Sequence, residues 1–360
     1  MSKKIMIFSY EFPPFNGGVG VVAEKILQYT KKEAYVLTLK SACNTQYDNN
    51  QKIVRILPKN KYGLVGYLLG VYYLIVYLRK ENIKSVVAVC SRSQRVCFLA
   101  SFIRKFQYVN ILHGSEILGI FNSRKGRIFS RLYKRSIGNF PVSEYVNEIA
   151  KSFEIQNLQV IKLGSTVTMP LTPVLNKSNI ISTISRLDRR KGHYEILKSL
   201  NLVFKMGGDF TYYVAGTGDE LDRLVAYADT LLCKDHIVFL GEIDAQEKNK
   251  LLQKTKIYVM HSLQVGNTVE GFGISFLEAG HYADLVIGTD HGGAVEALSL
   301  LPNSEYVAEY DIKKLAEIIH SALSKTINIS NIQTIREDFG EKMKKNWIVS
   351  CASIEERFNS

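Results

Sequence analysis

Short apolar runs alternate with helix-like runs along this chain of 360 residues, and the alternation occurs in two successive blocks. The runs predicted as strands in the first block are residues 4–10, 34–39, 54–57, 85–90, 107–112 and 159–162. Those in the second block are residues 180–185, 210–215, 236–240, 257–261, 285–288 and 305–307. Strands that alternate with helices at this spacing form parallel sheets with helices on both faces. The sequence therefore predicts an α/β protein with two parallel-sheet blocks.

The two blocks meet in a stretch without periodicity. Residues 162–178 contain one glycine and two prolines, which is typical of a linker. A final helical pattern carries the only tryptophan, Trp347. We therefore predict an N-terminal domain of residues 1–165, a C-terminal domain of residues 166–342, and a last helix, residues 343–360, that returns to the N-terminal domain.

The composition is that of a folded protein, because 46% of the residues are hydrophobic and 22% are charged. The five cysteines form no CxxC pair. This spacing favours reduced thiols in a cytosolic protein over a disulfide frame or a zinc site. The N-terminal sequence KKIMIFSY is predicted as a first strand and not as a cleavable signal peptide.

Positive charge is concentrated in the first half of the chain. Residues 1–175 contain 25 Lys and Arg against 9 Asp and Glu, a net charge of +16, and the remaining residues contain 21 against 25, a net charge of −4. Such one-sided charge suggests an anionic partner, either nucleic acid or the inner face of a membrane, with plain solubility as the alternative. No stacking aromatic platform or nucleic-acid-binding motif accompanies the basic half, so we expect no nucleic acid.

Residues 62–78 form a run of seventeen residues without a charge, bounded by Lys61 and Arg79. This length is the lower limit for a membrane span. The run holds five tyrosines and three glycines, and it falls where a helix that covers the sheet is expected. Three interpretations stay open: a packed helix, an interfacial membrane helix and a true span.

The segment EGFGISFLEAG contains two carboxylates, Glu270 and Glu278, separated by seven residues. Gly271 and Gly273 flank Phe272 directly after the first carboxylate, and a helix-like run follows. Backbone amides at the start of a helix are a natural anion site, and carboxylates accept hydrogen bonds from hydroxyls. The arrangement suits a sugar nucleotide, which offers both phosphates and hydroxyls.

The segment SRLDRRKG supplies a pair of cations after a predicted strand. Arg186 and Lys191 lie five residues apart around a turn that starts a helix. Two cations at the carboxyl end of a strand can clamp a diphosphate and stabilise charge on a leaving phosphate. A surface ion pair is the alternative for these two residues, and we expect Arg189 and Arg190 to be solvated surface charges.

Two further motifs follow predicted strands in the first half. Gly17 and Gly18, in FPPFNGGVG, allow a phosphate or sugar to approach the backbone, although a tight turn alone would also explain them. His113, in HGSE, could hydrogen-bond a sugar hydroxyl or a backbone carbonyl. The sequence has no D-x-D, HExxH or GxSxG motif, so we expect neither an obligatory metal nor a serine-hydrolase mechanism.

Taken together, these motifs resemble the retaining glycosyltransferases of family 4, whose GT-B fold consists of two facing Rossmann-like domains with an interdomain cleft. The resemblance extends over most of the chain and also includes VSEYVNEIAKSF, YYVAGTGDELDRL, VFLGEI and HGGAVE. The insert SLQVGNTVEGFG together with FPPFNGG resembles the lipid-directed mannosyltransferases that act on phosphatidylinositol more than the sucrose or starch enzymes. Two departures concern the linker, which reads LGSTV without the usual Asn and Asp, and the segment AGHYADL, which lacks a proline.

The resemblance implies a role for each candidate residue. Glu278 would hold the nucleotide ribose, and Glu270 with the amides of Gly271–Gly273 would hold the donor sugar. Arg186 and Lys191 would hold the diphosphate, with Gly17 and Gly18 beside it. His113 would contact the sugar near its anomeric centre. Glu296 is a weaker candidate.

The implied activity is transfer of a hexosyl unit from a UDP- or GDP-sugar to a hydroxyl, with retention at the anomeric carbon and without a cofactor. We expect a lipid-linked glycan or glycolipid as acceptor, in cell-surface polysaccharide biosynthesis. The basic N-terminal half would bind an anionic membrane surface, which would place a cytoplasmic protein on the inner face of the cell membrane. The alternatives are a nucleotide-sugar-binding protein without transferase activity and a transferase with a soluble acceptor.

Overall fold

A computed structural model describes residues 4–14, 17–40, 48, 50–57, 63–122, 126–167, 177–325 and 332–359. The chain divides into two compact units, the first comprising Met1–Leu163 with Lys345–Ser360 and the second comprising Gly164–Lys344. Each unit contains a sheet of six parallel strands among the described residues. The predicted α/β class with two parallel sheets is therefore confirmed.

The first unit alternates strands and helices. Its strands are β1 (Lys4–Phe8), β2 (Glu33–Leu39), β3 (Ile53–Leu57), β4 (Ser85–Ala88), β5 (Gln107–Leu112) and β6 (Gly138–Pro141). Its helices are α1 (Gly18–Tyr29), α2 (Leu64–Lys80), α3 (Ser91–Ala100), α4 (Ser115–Phe121), α5 (Gly126–Arg135) and α6 (Glu144–Ser152).

The strand order in this unit is β3-β2-β1-β4-β5-β6. Residues of β1 such as Met6 and Phe8 are fully buried, because helices cover both faces of a parallel sheet and its central strands become continuous apolar runs. The connections through α2, α3 and α5 all lead in the same direction along the sheet. Since such crossovers are right-handed, these three helices lie on one face of the sheet.

The last strand of this sheet was not predicted. β6 has the sequence GNFP, which lacks the β-branched residues that mark strands. The predicted strand 159–162 is wrong as a separate strand: this segment runs beside β6, where Gln159 N donates to Asn139 O at 3.1 Å and Ile161 N donates to Pro141 O at 2.9 Å. The last strand of the sheet is therefore Gly138–Pro141, which lies earlier in the chain than the segment that the apolar pattern indicated.

The second unit repeats the scheme with the strand order β12-β11-β10-β7-β8-β9. Its strands are β7 (Ile180–Ile184), β8 (Thr211–Ala215), β9 (Ile237–Gly241), β10 (Ile257–Val259), β11 (Leu285–Thr289) and β12 (Ser304–Val307). Its helices are α7 (His193–Lys205), α8 (Leu221–Ala228), α9 (Ala245–Lys254), α10 (Ile274–Gly280), α11 (Ala294–Ser299) and α12 (Ile312–Ser324). Apolar residues of α7 and α12 fill the core beneath the sheet.

The last helix, α13 (Ile332–Arg357), is shared between the two units. In the second unit, the Phe339 ring lies 4.9 Å from the His281 ring. From Lys345 onward the helix belongs to the first unit, where Trp347 is buried and Ser350 Oγ donates to Lys162 O at 2.8 Å. The predicted linker lies largely outside the described residues, since residues 168–176 are not among them.

Residues 64–78 of the uncharged run form most of α2. Gly63 precedes the helix, and Tyr62 lies outside the described residues. One side of the helix, with Gly70, Leu74 and Leu78, is buried in the core of the first unit. Within the described part of the chain, every helix is too short or too polar to cross a membrane. The run is therefore a helix packed on the sheet, and its opposite side is considered below.

Candidate functional site

The candidate residues of the second unit come from loops at one edge of its sheet. The segment SRLDRRKG follows β7, and the segment that contains Glu270 follows β10. β7 and β10 are parallel neighbours in the sheet. Their carboxyl ends therefore lie side by side, which is where open α/β sheets bind ligands.

Glu270 is held between two cations at this edge. Its Oε2 accepts a hydrogen bond from Arg190 Nη1 at 2.7 Å and from Lys191 Nζ at 2.5 Å, and Ser262 Oγ lies 3.2 Å away. The carboxylate side chain is only 12% exposed. Two of the candidate residues, Glu270 and Lys191, are thus in direct contact.

These charges keep Glu270 ionised. Burial by itself raises the pKa of this carboxyl group, but the charges of Lys191 and Arg190 outweigh it and lower the pKa to about 2. Burial also lowers the pKa of Lys191, against the charge of Glu270. Glu270 is therefore a carboxylate at neutral pH and can accept hydrogen bonds but not donate them.

Arg186 belongs to the same network through an acidic residue. Its side chain is 69% exposed, and its Nη2 lies 3.6 Å from Asp188 Oδ2. The same carboxylate oxygen lies 3.9 Å from Arg190 Nη2. A chain of ion pairs consequently leads from Arg186 to Lys191 through Asp188, Arg190 and Glu270. The side chain of Arg186 is exposed to solvent and retains room to move.

Arg190 is a site residue that the sequence analysis missed, because it was expected to be solvated. Residues Arg189–Lys191 form one 3-10 turn, in which neighbouring side chains point in different directions. Arg189 turns away and pairs with the buried Glu195 at 2.6 Å, whereas Arg190 and Lys191 turn toward Glu270. Three consecutive cations offered no signal that would distinguish these orientations.

Gly192 brings this turn against the loop after β10. Its φ is +67°, and a Cβ atom there would lie 1.8 Å from His261 O. Only glycine permits this close approach in the left-handed region. The glycine of SRLDRRKG therefore serves loop packing, which in turn places Lys191 beside Glu270.

Glu278 lies on α10 and is also buried. Its Oε1 accepts hydrogen bonds from Lys248 Nζ at 2.7 Å and from Thr166 Oγ1. Burial raises the pKa of the Tyr258 phenol, and the nearby charges of Glu278 and Glu270 raise it further. Both candidate carboxylates therefore act on the pKa of the same buried tyrosine.

The turn Gly271-Phe272-Gly273 connects the two carboxylates, with Phe272 buried and Gly273 directly before α10. The GGAVE segment packs on this turn: Gly293 N donates to Glu270 O at 2.9 Å, and a Cβ atom on Gly293 would lie 2.1 Å from Gly271 O. Glu296 lies in the first turn of the following helix. The close contact of Gly293 with the backbone of Glu270 and Gly271 thus explains why this position of GGAVE is a glycine.

The remaining candidates lie in the first unit. Gly17 precedes α1 and Gly18 begins it, and a Cβ atom on Gly18 would meet nothing within 4 Å. His113 follows β5, and its Nε2 lies 2.9 Å from Val89 O, while its backbone N donates to Glu116 Oε1 at 2.5 Å. The structure thus gives His113 the backbone-carbonyl contact that the sequence left as one of two options. Any approach of these residues to Glu270 stays a prediction.

No group of three or more His, Cys, Asp or Glu residues within the described ranges could hold a metal ion. Four of the cysteines are buried free thiols, and Cys43 lies outside the described residues. The expected independence from metals stays a prediction.

Comparison with known proteins relates the second half of the chain to a known family. The family model for "Glycosyl transferases group 1" matches residues 172–348. The amylovoran biosynthesis glycosyltransferase AmsK of Erwinia amylovora is 24% identical over 220 residues, which cover 59% of this chain and 54% of AmsK. A GDP-mannose-dependent monoacylated alpha-(1-6)-phosphatidylinositol monomannoside mannosyltransferase of Corynebacterium glutamicum is 28% identical over 207 residues, which cover 55% of this chain and 51% of that protein.

The alignments thus span about half the length of these relatives. The fold is shared more completely: the structure of Anabaena Alr3699/HepE with UDP and glucose superposes with a TM-score of 0.76, at 17% identity, over 99% of this chain and 98% of that one. The chain therefore has the GT-B fold, and its residues 172–348 match the family model for glycosyl transferases group 1.

Proposed function

We propose that the protein is a retaining hexosyltransferase that uses a UDP- or GDP-sugar and a lipid-linked glycan or glycolipid acceptor in cell-surface polysaccharide biosynthesis. The observation that carries the proposal is the ionised Glu270 held between Arg190 and Lys191, within the residues that match the family model for glycosyl transferases group 1. A buried carboxylate with two cations can accept from sugar hydroxyls while its cations face a phosphate.

The donor would bind along the edge of the second sheet. Glu278 would accept from the ribose hydroxyls, and Glu270 with the amides of Gly271–Gly273 would orient the hexose. Arg186 and Lys191 would bind the diphosphate, with Gly17 and Gly18 of the first unit near it. Arg186 is suited to this role because, among the described residues, its exposed side chain pairs with a single carboxylate, that of Asp188 at 3.6 Å. A diphosphate carries more charge than one carboxylate and would compete for the guanidinium.

The chemical step exchanges one bond for another at the anomeric carbon. The bond to the donor phosphate oxygen breaks, and a bond to the acceptor oxygen forms on the same face of the sugar. The acceptor proton passes to the departing phosphate oxygen, since no side chain is assigned as a base. Arg186 and Lys191 would stabilise the negative charge that develops on that phosphate, which makes a metal unnecessary. His113 would contact the sugar near the reacting carbon.

The lipid acceptor is supported by two observations. The Corynebacterium relative is named as acting on a phosphatidylinositol mannoside, and AmsK is named for polysaccharide biosynthesis. The first half of the chain carries the net positive charge. A lipid acceptor in an anionic bilayer would be reached by a peripheral protein at the inner face of the cell membrane.

A donor screen tests the proposal. The protein is mixed with UDP-glucose, UDP-galactose, UDP-N-acetylglucosamine or GDP-mannose, and its thermal transition is measured, because a ligand of the native state raises it. The donor that stabilises the protein is then incubated with membrane lipid extract, and nucleoside diphosphate release and the anomeric configuration of the product are measured. Binding without product from any acceptor would favour the non-catalytic alternative, and an inverted product would exclude retention.

Arg186→Ala is the decisive variant, and Arg223→Ala is its matched control. Both arginines are exposed, at 69% and 76%, and both lie within 3.6 Å of a neighbouring carboxylate. We expect Arg186→Ala to lower turnover by about 100-fold, the scale on which one electrostatic stabiliser acts, and Arg223→Ala to leave it unchanged. Parental turnover by Arg186→Ala would remove this residue from the mechanism. Undiminished turnover in EDTA would support metal independence.

A further inference from the structure

The outward side of α2 is apolar and exposed. Four of its side chains recur at intervals of four residues and so form one stripe along the helix. These are Leu64, Leu68, Tyr72 and Val76, with exposed fractions of 75%, 59%, 59% and 36%. A surface helix of a soluble protein ordinarily places polar residues on this side, so a continuous apolar stripe indicates a binding surface.

A second exposed apolar group lies at the end of the neighbouring helix α3. Phe102 is 64% exposed and Ile103 is 66% exposed. α2 and α3 are packed side by side: Arg95 Nη1 donates to Tyr67 Oη at 3.0 Å near their starts, and Arg104 Nη2 lies 3.5 Å from Leu78 O near their ends. The two apolar groups therefore lie on the same side of the first unit.

Cations border the exposed apolar groups of α2 and α3 where these helices end. Arg104 and Lys105 follow α3, and the Arg135 guanidinium of α5 stacks 4.3 Å from the centre of the Phe102 ring. Together with Phe102 and Ile103 they line a shallow depression of about 540 Å³. Two further cations, Arg79 and Lys80, lie in the last turn of α2.

Acidic residues are absent from the sequences of α2, α3 with the residues that follow it, and α5. The segments 64–80, 91–105 and 126–135 contain no Asp or Glu. Helices of the first unit outside this layer do contain them, for example Glu24 in α1 and Glu144 in α6. The missing carboxylates are thus a property of this face and not of the unit, and they make the face complementary to an anionic surface.

We propose that this face, formed by the exposed sides of α2 and of residues 99–105, seats the protein on an anionic lipid bilayer. α2 lies in the plane of the membrane, with its leucines and Tyr72 at the boundary between headgroups and acyl chains. Arg104, Lys105 and Arg135 bind lipid phosphates around the depression. The proposal deepens the proposed function, because it rests on a lipid acceptor and names the surface by which the enzyme reaches it.

A vesicle-flotation experiment tests the face. The wild type is mixed with vesicles of phosphatidylcholine that contain either 30% or no phosphatidylglycerol, and the bound fraction is measured. The apolar variant is Leu68→Asp with Ile103→Asp, and its matched control is Leu232→Asp, which changes a leucine of the second unit that is 63% exposed. All three residues are at the surface, so the variants should fold, and circular dichroism checks this.

We expect the wild type and Leu232→Asp to float with the anionic vesicles. The partition coefficient of the apolar double variant, Leu68→Asp with Ile103→Asp, should be at least tenfold lower. A second variant, Arg104→Gln with Lys105→Gln, should lose about fivefold per cation at low salt and respond less to added salt, since each such cation near an anionic surface contributes on the order of 1 kcal/mol. Equal binding by the double variant and the control would overturn the proposal. So would a wild type that ignores vesicles and dimerises through this face in sedimentation experiments.

The donor screen separates this proposal from the proposed function. If the double variant loses vesicle binding but is still stabilised by the donor, the face is a membrane surface and the donor site is independent of it. If the wild type binds vesicles and no nucleotide sugar stabilises it, the proposed transferase fails while the membrane face stands.

Discussion

Glu270 is a carboxylate with little access to water, and its charge is balanced by two cations rather than one. Removing either partner would leave a buried charge that is only partly compensated, which is more costly than losing a surface ion pair. Two of the three arginines of the SRLDRRKG segment therefore differ in role: Arg190 holds the Glu270 carboxylate, whereas the exposed Arg186 has little to stabilise in the absence of a ligand.

We predict that Arg190→Met and Arg186→Met differ in stability. Arg190→Met should lower the free energy of unfolding by about 1–3 kcal/mol, the usual cost of removing a hydrogen bond to a buried charged group. Arg186→Met should change it by less than about 0.5 kcal/mol, because its pairing with Asp188 is exposed. Urea unfolding measures both. Equal stability of the two variants would show that Glu270 does not depend on Arg190.

Lys248 and Thr166 offer a second residue-scale prediction, because both bind the Glu278 carboxylate. If Glu278 holds the ribose, Lys248→Met should raise the donor KM about tenfold and change kcat little, since a misplaced carboxylate weakens ground-state and transition-state binding alike. Lys250→Met on the same helix is the control, as its side chain is exposed. A lowered kcat with an unchanged KM would contradict this positioning role.

The sequence named Glu270, Glu278, Arg186 and Lys191 as candidates, but it did not indicate that Arg190, Lys248 and Thr166 contact the two carboxylates. Glu270, Glu278 and Lys191 lie in motifs whose spacing can be interpreted locally. Lys248 is thirty residues from Glu278, on a helix with an ordinary solvated pattern, and only tertiary packing brings them together. Thr166 lies in the linker segment LGSTV, whose departure from the family pattern gave no indication that its hydroxyl would contact a carboxylate.

At the scale of elements, strands with strong apolar patterns were predicted and a strand without one was missed. β6 is held by backbone pairing with β5 on one side and by residues 158–161 on the other, so its four residues need no β-branched side chains. Buried Asn139 is satisfied within this arrangement, since its Nδ2 donates to Tyr133 O at 2.9 Å. Such tertiary pairing overrides local propensity and cannot be derived from the segment itself.

Replacing two helical glycines of the first unit by alanine should change the stability of the protein in opposite directions. A Cβ atom on Gly70 of α2 would lie 2.5 Å from Tyr10 Oη and 3.0 Å from Val96 Cγ2, whereas one on Gly119 of α4 would meet nothing within 4 Å. Gly70→Ala should therefore destabilise by about 1–3 kcal/mol through overpacking. Gly119→Ala should stabilise by up to about 1 kcal/mol, because alanine favours a helix over glycine.

Thermal unfolding of the two alanine variants, compared with the wild type, checks this prediction. An unchanged or raised transition for Gly70→Ala would mean that α2 can move away from α3 without cost. That outcome would also weaken the assumption that α2 is fixed on the sheet by its buried side.

At the scale of the whole molecule, the two units share an architecture but differ in charge. The first unit carries the basic helical layer, and the second carries the acidic pocket residues with their paired cations. Repeated strand–helix alternation was sufficient to predict the shared architecture, because each parallel sheet repeats the same local pattern. The sequence pattern suggested that the last helix returns to the first unit, but it gave no indication that the start of α13 packs in the second unit, where Phe339 contacts His281.

The second unit also contains three buried histidines, and they make its stability depend on pH. Burial lowers the pKa of each to about 4, from an ordinary value near 6.5. They are His193, His261 and His281. Between pH 6.5 and 4 the unfolded chain therefore binds more protons than the folded chain, so the free energy of unfolding falls as pH is lowered through this window and levels off below it.

We predict that each histidine contributes up to about 1.4 kcal/mol per pH unit within this window. Urea unfolding at pH 7, 6 and 5 measures the slope. His281→Phe is the informative variant, because the His281 ring already packs against Phe339 and no described group hydrogen-bonds either of its ring nitrogens. It should lower the number of protons taken up on unfolding, which the slope measures, by about one. It should also be more stable than the wild type at pH 5. His291→Phe, a change at a histidine on the surface, is the control. If His281→Phe leaves the slope unchanged, the protonation of this buried ring does not contribute to acid unfolding.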